Sequence, residues 1–352
     1  MTVHLTQGDL LARDNVDAIV NTVNCVGVMG KGIALQFKNK WPANFKAYKA
    51  ACDAGEVRLG RMFVFDSGGL LKPNFIINFP TKDHWRGKSD LESIRTGLED
   101  LVQVIQRHQI RSIALPPLGC GNGGLDWEDV RPLLEAAFAR IPSVEVFLFA
   151  PGGVLDPKAM VVNTSRPRMT AARAAMLKVM EIYRRFDFGL SKIEVQKLAY
   201  FLQLAGEDMK LNFSKQNFGP YSEELKHALN RMEGHFIRGL GDGVVQAEIE
   251  PVQQALAEAD EFIDLHGGAT LRDRVSRVAK LIDGFESPYG MELLASVHWV
   301  ATHDPAVSDS ESALTAIGAW SSRKKDLMKP AQVEIAWTRL LGSQWLNRSS
   351  GL

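Results

Sequence analysis

Asn21-Thr-Val-Asn-Cys-Val-Gly-Val-Met-Gly-Lys-Gly-Ile-Ala34 carries an apolar strand through two asparagines into a glycine-rich turn and out into a helix. Val16 to Val20, just upstream, is short, apolar and β-branched, which suits a buried strand, and Ile33 to Lys40 has helical spacing. Gly27, Gly30 and Gly32 therefore lie where a sheet hands over to a helix. Without side chains there, backbone N–H groups can approach an anion, and the helix N-terminus adds partial positive charge. The spacing gives neither G-x-x-x-x-G-K-[ST] nor G-x-G-x-x-G, so it predicts an anion cradle outside both common nucleotide signatures.

A second unit repeats the pattern. Arg111-Ser-Ile-Ala-Leu115 reads as a buried strand opening into Pro116-Pro-Leu-Gly-Cys-Gly-Asn-Gly-Gly-Leu125, with Asp126 placed to cap a helix from near Trp127. Two such units put two glycine loops opposite each other at the carboxyl edge of a sheet, where open α/β sheets bind ligands. Further strands are expected at Val3 to Thr6, Val16 to Asn21, Met62 to Asp66, Asn74 to Asn78, Ile113 to Leu115 and Val144 to Phe149. A helix is expected from Asp90 to His108, opened by a Ser89/Glu92 capping box and carrying an apolar face from Leu91 to Ile105. This alternation predicts an α/β fold, a mixed or parallel sheet with helices on both sides.

The 352 residues exceed the usual size of one hydrophobic core, so two domains are expected. The N-terminus does not read as a signal peptide and no apolar run approaches the ~20 residues of a membrane helix, which predicts a cytoplasmic chain with no membrane partner. Cys25, Cys52 and Cys120 form neither a disulfide framework nor a zinc-ligand spacing, so no metal site is expected, and Cys25 and Cys120 read as small buried residues. The 41 basic and 41 acidic residues cancel, which argues against DNA binding by blanket phosphate attraction. Their distribution is uneven: residues 242 to 316 carry 4 Lys/Arg against 14 Asp/Glu. Such a run is a solvated face or a decoy for a DNA-binding protein.

From Pro151 to Arg168 the pattern dissolves into Pro-Gly-Gly, Asp-Pro and Arg-Pro-Arg, giving a first domain over 1–155, a linker over 156–168 and a mainly helical domain over 169–352. Helical spacing follows at Ala171 to Phe186, Ser191 to Ala205, Ser222 to Met232, Val252 to His266, Leu271 to Phe285, Met291 to Thr302, Ser310 to Trp320 and Val333 to Leu341, with a Ser191/Glu194 capping box.

Gly8-Asp-Leu10, Val16-Asp-Ala-Ile-Val-Asn21, the first glycine loop and Leu118-Gly-Cys-Gly121 together resemble the macrodomain family. Asn24-Cys-Val-Gly-Val-Met-Gly-Lys-Gly-Ile-Ala34 and Asn78-Phe-Pro-Thr-Lys-Asp-His-Trp85 narrow the resemblance to antitoxin macrodomains that remove ADP-ribose from thymine in DNA. The resemblance implies a three-layer α/β/α domain with a mixed sheet, ADP-ribosylated single-stranded DNA as substrate, ADP-ribose as product and no cofactor. Gln196-Lys-Leu-Ala-Tyr-Phe201 and Asn217-Phe-Gly-Pro-Tyr-Ser-Glu-Glu-Leu225 are similar to a helical antitoxin module. That implies a DNA ADP-ribosyltransferase toxin as the partner of residues 169–352.

The same resemblance assigns ADP-ribose contacts to Asp9, Leu10, Gly30, Lys31, Gly32, Ile33, Thr81, Leu118, Gly119, Cys120, Gly121, Asn122 and Gly123. Lys82, at the position of the family's catalytic lysine, is the expected chemical centre, as nucleophile, base or acid. Asn24 is its expected partner from the first loop, through a side-chain amide or as a turn former. His84 and Trp85 are expected on the base side, where an aromatic ring can stack on a nucleobase. Related lysine-dependent hydrolases carry an aspartate two residues after Gly-Cys-Gly, whereas this chain has Gly123, which puts a Lys/Asp mechanism in doubt. Two other readings remain open: a reader that binds ADP-ribose without catalysis, and a hydrolase acting on modified protein.

Overall fold

The computed structural model describes residues 3–13, 15–69, 71–152, 156–184, 189–244 and 246–346. It forms two compact units, Met1–Ser165 with Gly241–Val245, and Arg166–Leu240 with Gln246–Leu352.

The first unit is built on a six-stranded sheet of β1 (Val3–Thr6), β2 (Ala18–Asn24), β3 (Phe63–Asp66), β4 (Phe75–Lys82), β5 (Ser112–Leu115) and β6 (Glu145–Phe149). Their order is β1-β6-β5-β2-β4-β3, parallel except where β3 runs against β4. Alternation along the strands sends side chains into two cores. Ala18, Val20, Ile77 and Phe79 pack with Leu98 and Leu101 of α3 (Leu91–Arg107) and Val130 and Leu134 of α4 (Trp127–Phe138). On the other face Ile19 and Ile76 meet Phe37 of α1 (Gly32–Lys40), and Val23 packs with Tyr48 of α2 (Pro42–Asp53). The result is a three-layer α/β/α domain with a mixed sheet.

Both strands leading to the site run further than their apolar cores suggest. β2 starts at Ala18 rather than Val16, because the Asp17 carboxylate is turned to the N–H groups of Arg111 and Ser112, and it continues through Asn24. β4 extends past Asn78 to Lys82. The Ser89/Glu92 capping box does not form. Asp90 is the N-cap, its carboxylate accepting from Ser93 N–H at 2.8 Å, while Glu92 is held by Arg95 and Ser89 Oγ has no hydrogen-bond partner among the described residues. α2, opened by Pro42 at its first turn, is an element the sequence did not announce.

The second unit is mainly helical. α5 (Ala171–Tyr183), α6 (Lys192–Leu204), α7 (Glu223–Met232), α8 (Gln253–Phe262), α9 (Gly268–Ile282), α10 (Pro288–His303), α11 (Ser310–Trp320), α12 (Ser322–Leu327) and α13 (Pro330–Gly342) surround one apolar core. The Ser191/Glu194 capping box is present. The helix expected to Phe186 closes at Tyr183, and its last two expected residues, 185 and 186, lie outside the described residues. The helix expected through His266 is α-helical only to Phe262 and ends in a π turn, Ile263–Gly267. The Asn217–Leu225 stretch includes a strand, Gly219–Tyr221, paired with Ser214–Gln216, before α7. It docks on α6, where Gln196 and Ser222 exchange two buried hydrogen bonds of 2.9 Å and Lys197 Nζ donates to Pro220 O at 2.7 Å.

Among the described residues, five of the fourteen acids in the acidic run are ion-paired within the fold. Glu250 pairs with Arg184, Glu258 with Arg166, Asp260 with Lys178, Asp264 with Arg272, and Glu292, almost fully buried, with Arg323 and Lys324.

Candidate active site

At the carboxyl edge of the sheet Asn24 and Lys82 end adjacent strands and are register partners across β2 and β4, beside a shift in register at Val23/Asn24. The first glycine loop leaves from Asn24, whose side chain sets its shape. Asn24 Oδ1 accepts from the N–H of Val26 at 3.0 Å and Val28 at 3.3 Å, and Nδ2 donates to Val28 O at 2.6 Å. Tyr48 Oη donates to Asn24 O at 2.5 Å from beneath. The amide of Asn24 is thus committed to the turn. Below it Asn21, Asn44 and Asn78 form a buried amide network that ties β2, α2 and β4.

The loop delivers the chain into α1 with Gly32 at φ +61°, a conformation that favours glycine. Lys31 is the N-cap but supplies no side-chain cap. Gly32 N–H donates to Asp242 O at 2.9 Å, whereas the N–H groups of Ile33 and Ala34 have no acceptor among the described residues. These two open donors at a helix N-terminus are what an anion needs.

The second loop, Leu118 to Gly123, faces them. A β-carbon on Gly32 would stand 3.1 Å from Asn122 Nδ2, so the two loops approach closely. Lys82 fastens this loop to β4: Nζ donates to Asn122 O at 2.7 Å and Gly87 O at 3.3 Å, and Ser89 N–H donates to Gly123 O at 3.0 Å. Burial holds the Lys82 ammonium below the ordinary lysine pKa. A β-carbon on Gly123 would fall 2.3 Å from both Gly119 O and Ser89 Oγ, so this backbone has no room for an acid there.

The remaining expected residues are spread along the same edge. Asp9 is exposed, with Oδ1 accepting from Leu11 N–H at 2.8 Å and Leu10 buried behind it. Lys31, Gly30 and Gly121 are exposed, and Thr81 is buried with its hydroxyl toward Val23 O. His84 and Trp85 are exposed with ring centroids 5.4 Å apart, and the Arg86 guanidinium lies 4.5 Å over the Trp85 ring. Burial pushes the thiols of Cys25 and Cys120 up to about 11, which opposes a thiolate nucleophile. Tyr48, Gln36, Ser89 and Asp242 were missed from the sequence. Only Gly239-Leu-Gly-Asp-Gly243, a turn-rich break between helices, signals the last of these, and it does not say where the break docks.

The Macro domain family model matches residues 20–134. A Thermus aquaticus protein named DNA ADP-ribosyl glycohydrolase is 47% identical over 343 residues, covering 96% of this chain and 93% of its own. A DNA ADP-ribosyl transferase-DNA ADP-ribosyl glycohydrolase fusion protein of Thermosipho africanus is 32% identical over 160 residues, 41% of each chain. Among solved structures, the macrodomain of Mycobacterium tuberculosis DarG is 56% identical, covering 43% of this chain and 98% of its own, with a TM-score of 0.42.

Proposed function

The chain belongs to the DNA ADP-ribosyl glycohydrolase family, and on that premise we propose that its first unit hydrolyses the N-glycosidic bond between ADP-ribose and thymine in single-stranded DNA, as the antitoxin half of a toxin pair. The observation that carries this reading is Lys82. Its Nζ stands at the end of β4, tied to the second glycine loop and facing a first loop with open N–H donors.

The diphosphate lies on the N–H groups of Ile33 and Ala34 and against the second loop. This orients the distal ribose toward the ends of β2 and β4. Asp9, whose second carboxylate oxygen has no partner among the described residues, accepts from the adenine amino group. Two carbonyl acceptors hold two N–H bonds of the Lys82 ammonium, and the third is left for the departing base. As the C1–N bond breaks, this ammonium gives its proton to thymine; water adds to the sugar carbon from the opposite side and releases one proton to solvent, from which the Lys82 amine is reprotonated. Asn24 acts by holding the loop. His84 and Trp85 flank the base.

Lys82→Ala should slow release of ADP-ribose from a modified thymidine oligonucleotide by on the order of 10²-fold or more, the usual worth of a positioned proton donor. Undiminished turnover by a folded variant would remove Lys82 from the reaction. Gly123, where an acid is absent, favours the second reading, a reader without catalysis. ADP-ribose binding measured by calorimetry with no release from modified DNA or protein selects that reading, and release from modified protein alone selects the protein hydrolase.

The second unit is proposed to bind the DNA ADP-ribosyltransferase toxin. The fused transferase and glycohydrolase of Thermosipho africanus supports a functional pairing of the two activities.

A further inference from the structure

Gly241 to Val244 fall in the helical half of the sequence but pack within the first unit. Asp242, 4% exposed, is the centre of this contact. Its backbone oxygen accepts from Gly32 N–H at 2.9 Å, one carboxylate oxygen accepts from buried Gln36 Nε2 at 2.8 Å, and the other from Val244 N–H at 2.9 Å. Val244 and Asn122 both stand over Gly32: a β-carbon there would touch Val244 Cγ2 at 3.6 Å and press on Asn122 Nδ2 at 3.1 Å.

The first turn of α1 needs this support. Its N-cap residue contributes no side-chain cap, and Gly30-Lys31-Gly32 is a stretch whose backbone has few intrinsic restraints. Asp242 O caps the first helical N–H and leaves the next two, on Ile33 and Ala34, open. The Gln36 bond fixes the same segment one turn further along. We infer that Asp242 is a positioning residue for the diphosphate, holding the Gly-Lys-Gly turn so that the Ile33 and Ala34 N–H groups converge on the ligand. This rests on the assignment of the cleft to ADP-ribose.

Geometry and charge act in opposite directions here. The hydrogen bonds orient the donors, while a carboxylate close to an incoming diphosphate repels it. Asn keeps the side-chain bonds, with one turn of the Gln36 amide, and loses the charge; Ala keeps only the backbone bond to Gly32 and loses both the side-chain bonds and the charge. Calorimetry on the full chain should therefore show Asp242→Ala binding ADP-ribose about tenfold more weakly, the worth of one or two net hydrogen bonds. Asp242→Asn should stay within about threefold of the wild type or bind more tightly. On modified DNA, Asp242→Ala should raise KM and leave kcat unchanged, because Lys82 and the second loop are untouched. Any other pattern overturns the assignment: no loss in the Ala variant, an equal loss in the Asn variant, or a fall in kcat alone. If the wild-type chain itself does not bind ADP-ribose, the reading of the cleft fails first, and the positioning role goes with it.

Discussion

At Lys82 the direction of the pKa shift separates two chemistries. Burial lowers the pKa of this ammonium, which makes it a stronger proton donor than a solvated lysine and lets its neutral form appear at a lower pH. An acid role predicts that kcat falls as pH rises through the lowered value. A nucleophilic amine predicts the reverse, a rate that climbs over the same range, and trapping of a Schiff base by borohydride would accompany it. The pH–rate profile on a modified oligonucleotide decides between them. At Gly123 the packing makes a complementary prediction. Introducing the acid found in related hydrolases, Gly123→Asp, should not add activity, because its β-carbon collides with Gly119 O and Ser89 Oγ. The variant should instead melt at a lower temperature and turn over more slowly as the clasp between Ser89 and Gly123 opens. A faster variant would mean that the loop relaxes around the new side chain.

Elements set the distances on which those residues depend. α3 lies close to β4 because Gly97 faces the buried Phe79 ring, and a β-carbon on Gly97 would sit 2.3 Å from a ring carbon. Gly97→Ala should cost about 1–3 kcal/mol, the typical penalty of overpacking, seen as a lowered Tm. In the second unit, burial lowers the Lys197 pKa to about 7. The unfolded chain then binds more protons, so this residue makes stability rise with pH from about 7 toward the ordinary lysine value. Thermal melts between about pH 7.5 and 9.5 should show that slope shrinking in Lys197→Met; an unchanged slope would mean Lys197 stays charged in the folded protein. Glu233, raised to about 7 by burial, makes stability fall with pH at the low end of this window, so the Lys197 slope is read from its upper part. The sheet was legible because its strands alternate or run apolar, and α3 because Ile94 to Ile105 repeat at helical spacing. Strand ends were not, since Pro80, Thr81 and Lys82 look like a turn until pairing with β2 holds them extended. The glycine loops could be read as loops, but of the carbonyls that receive Lys82 Nζ only Gly87 O is local, and Asn122 O comes from tertiary placement. Asp242 lies 206 positions from Gln36, a separation no local pattern can bridge.

For the molecule as a whole, the paired charges limit how the proposed toxin complex can form. Residues 242 to 316 have 14 acidic side chains, which in isolation suggest an imitation of DNA phosphates. Asp242 is buried against Gln36, while Glu250, Glu258, Asp260, Asp264 and Glu292 face basic partners. With six of the fourteen acids engaged in this way, the run imitates a strand of phosphates less well than its composition suggests. Binding of the transferase should accordingly depend weakly on salt. Between about 50 and 200 mM, a phosphate-like surface making 6–10 contacts would lose on the order of 10³-fold or more, whereas shape and apolar contacts would lose less than about tenfold. A steep salt dependence would return phosphate imitation to first place. The division of labour makes a paired prediction. A chain ending at residue 165 keeps the sheet, both glycine loops and Lys82 but loses the Asp242 contact and the second unit. It should release ADP-ribose from modified DNA with kcat near that of the full chain and a raised KM, and it should fail to capture the transferase. Capture by this fragment at full strength would move the toxin-binding surface onto the macrodomain. An unchanged KM would show that the first turn of α1 keeps its shape without Asp242.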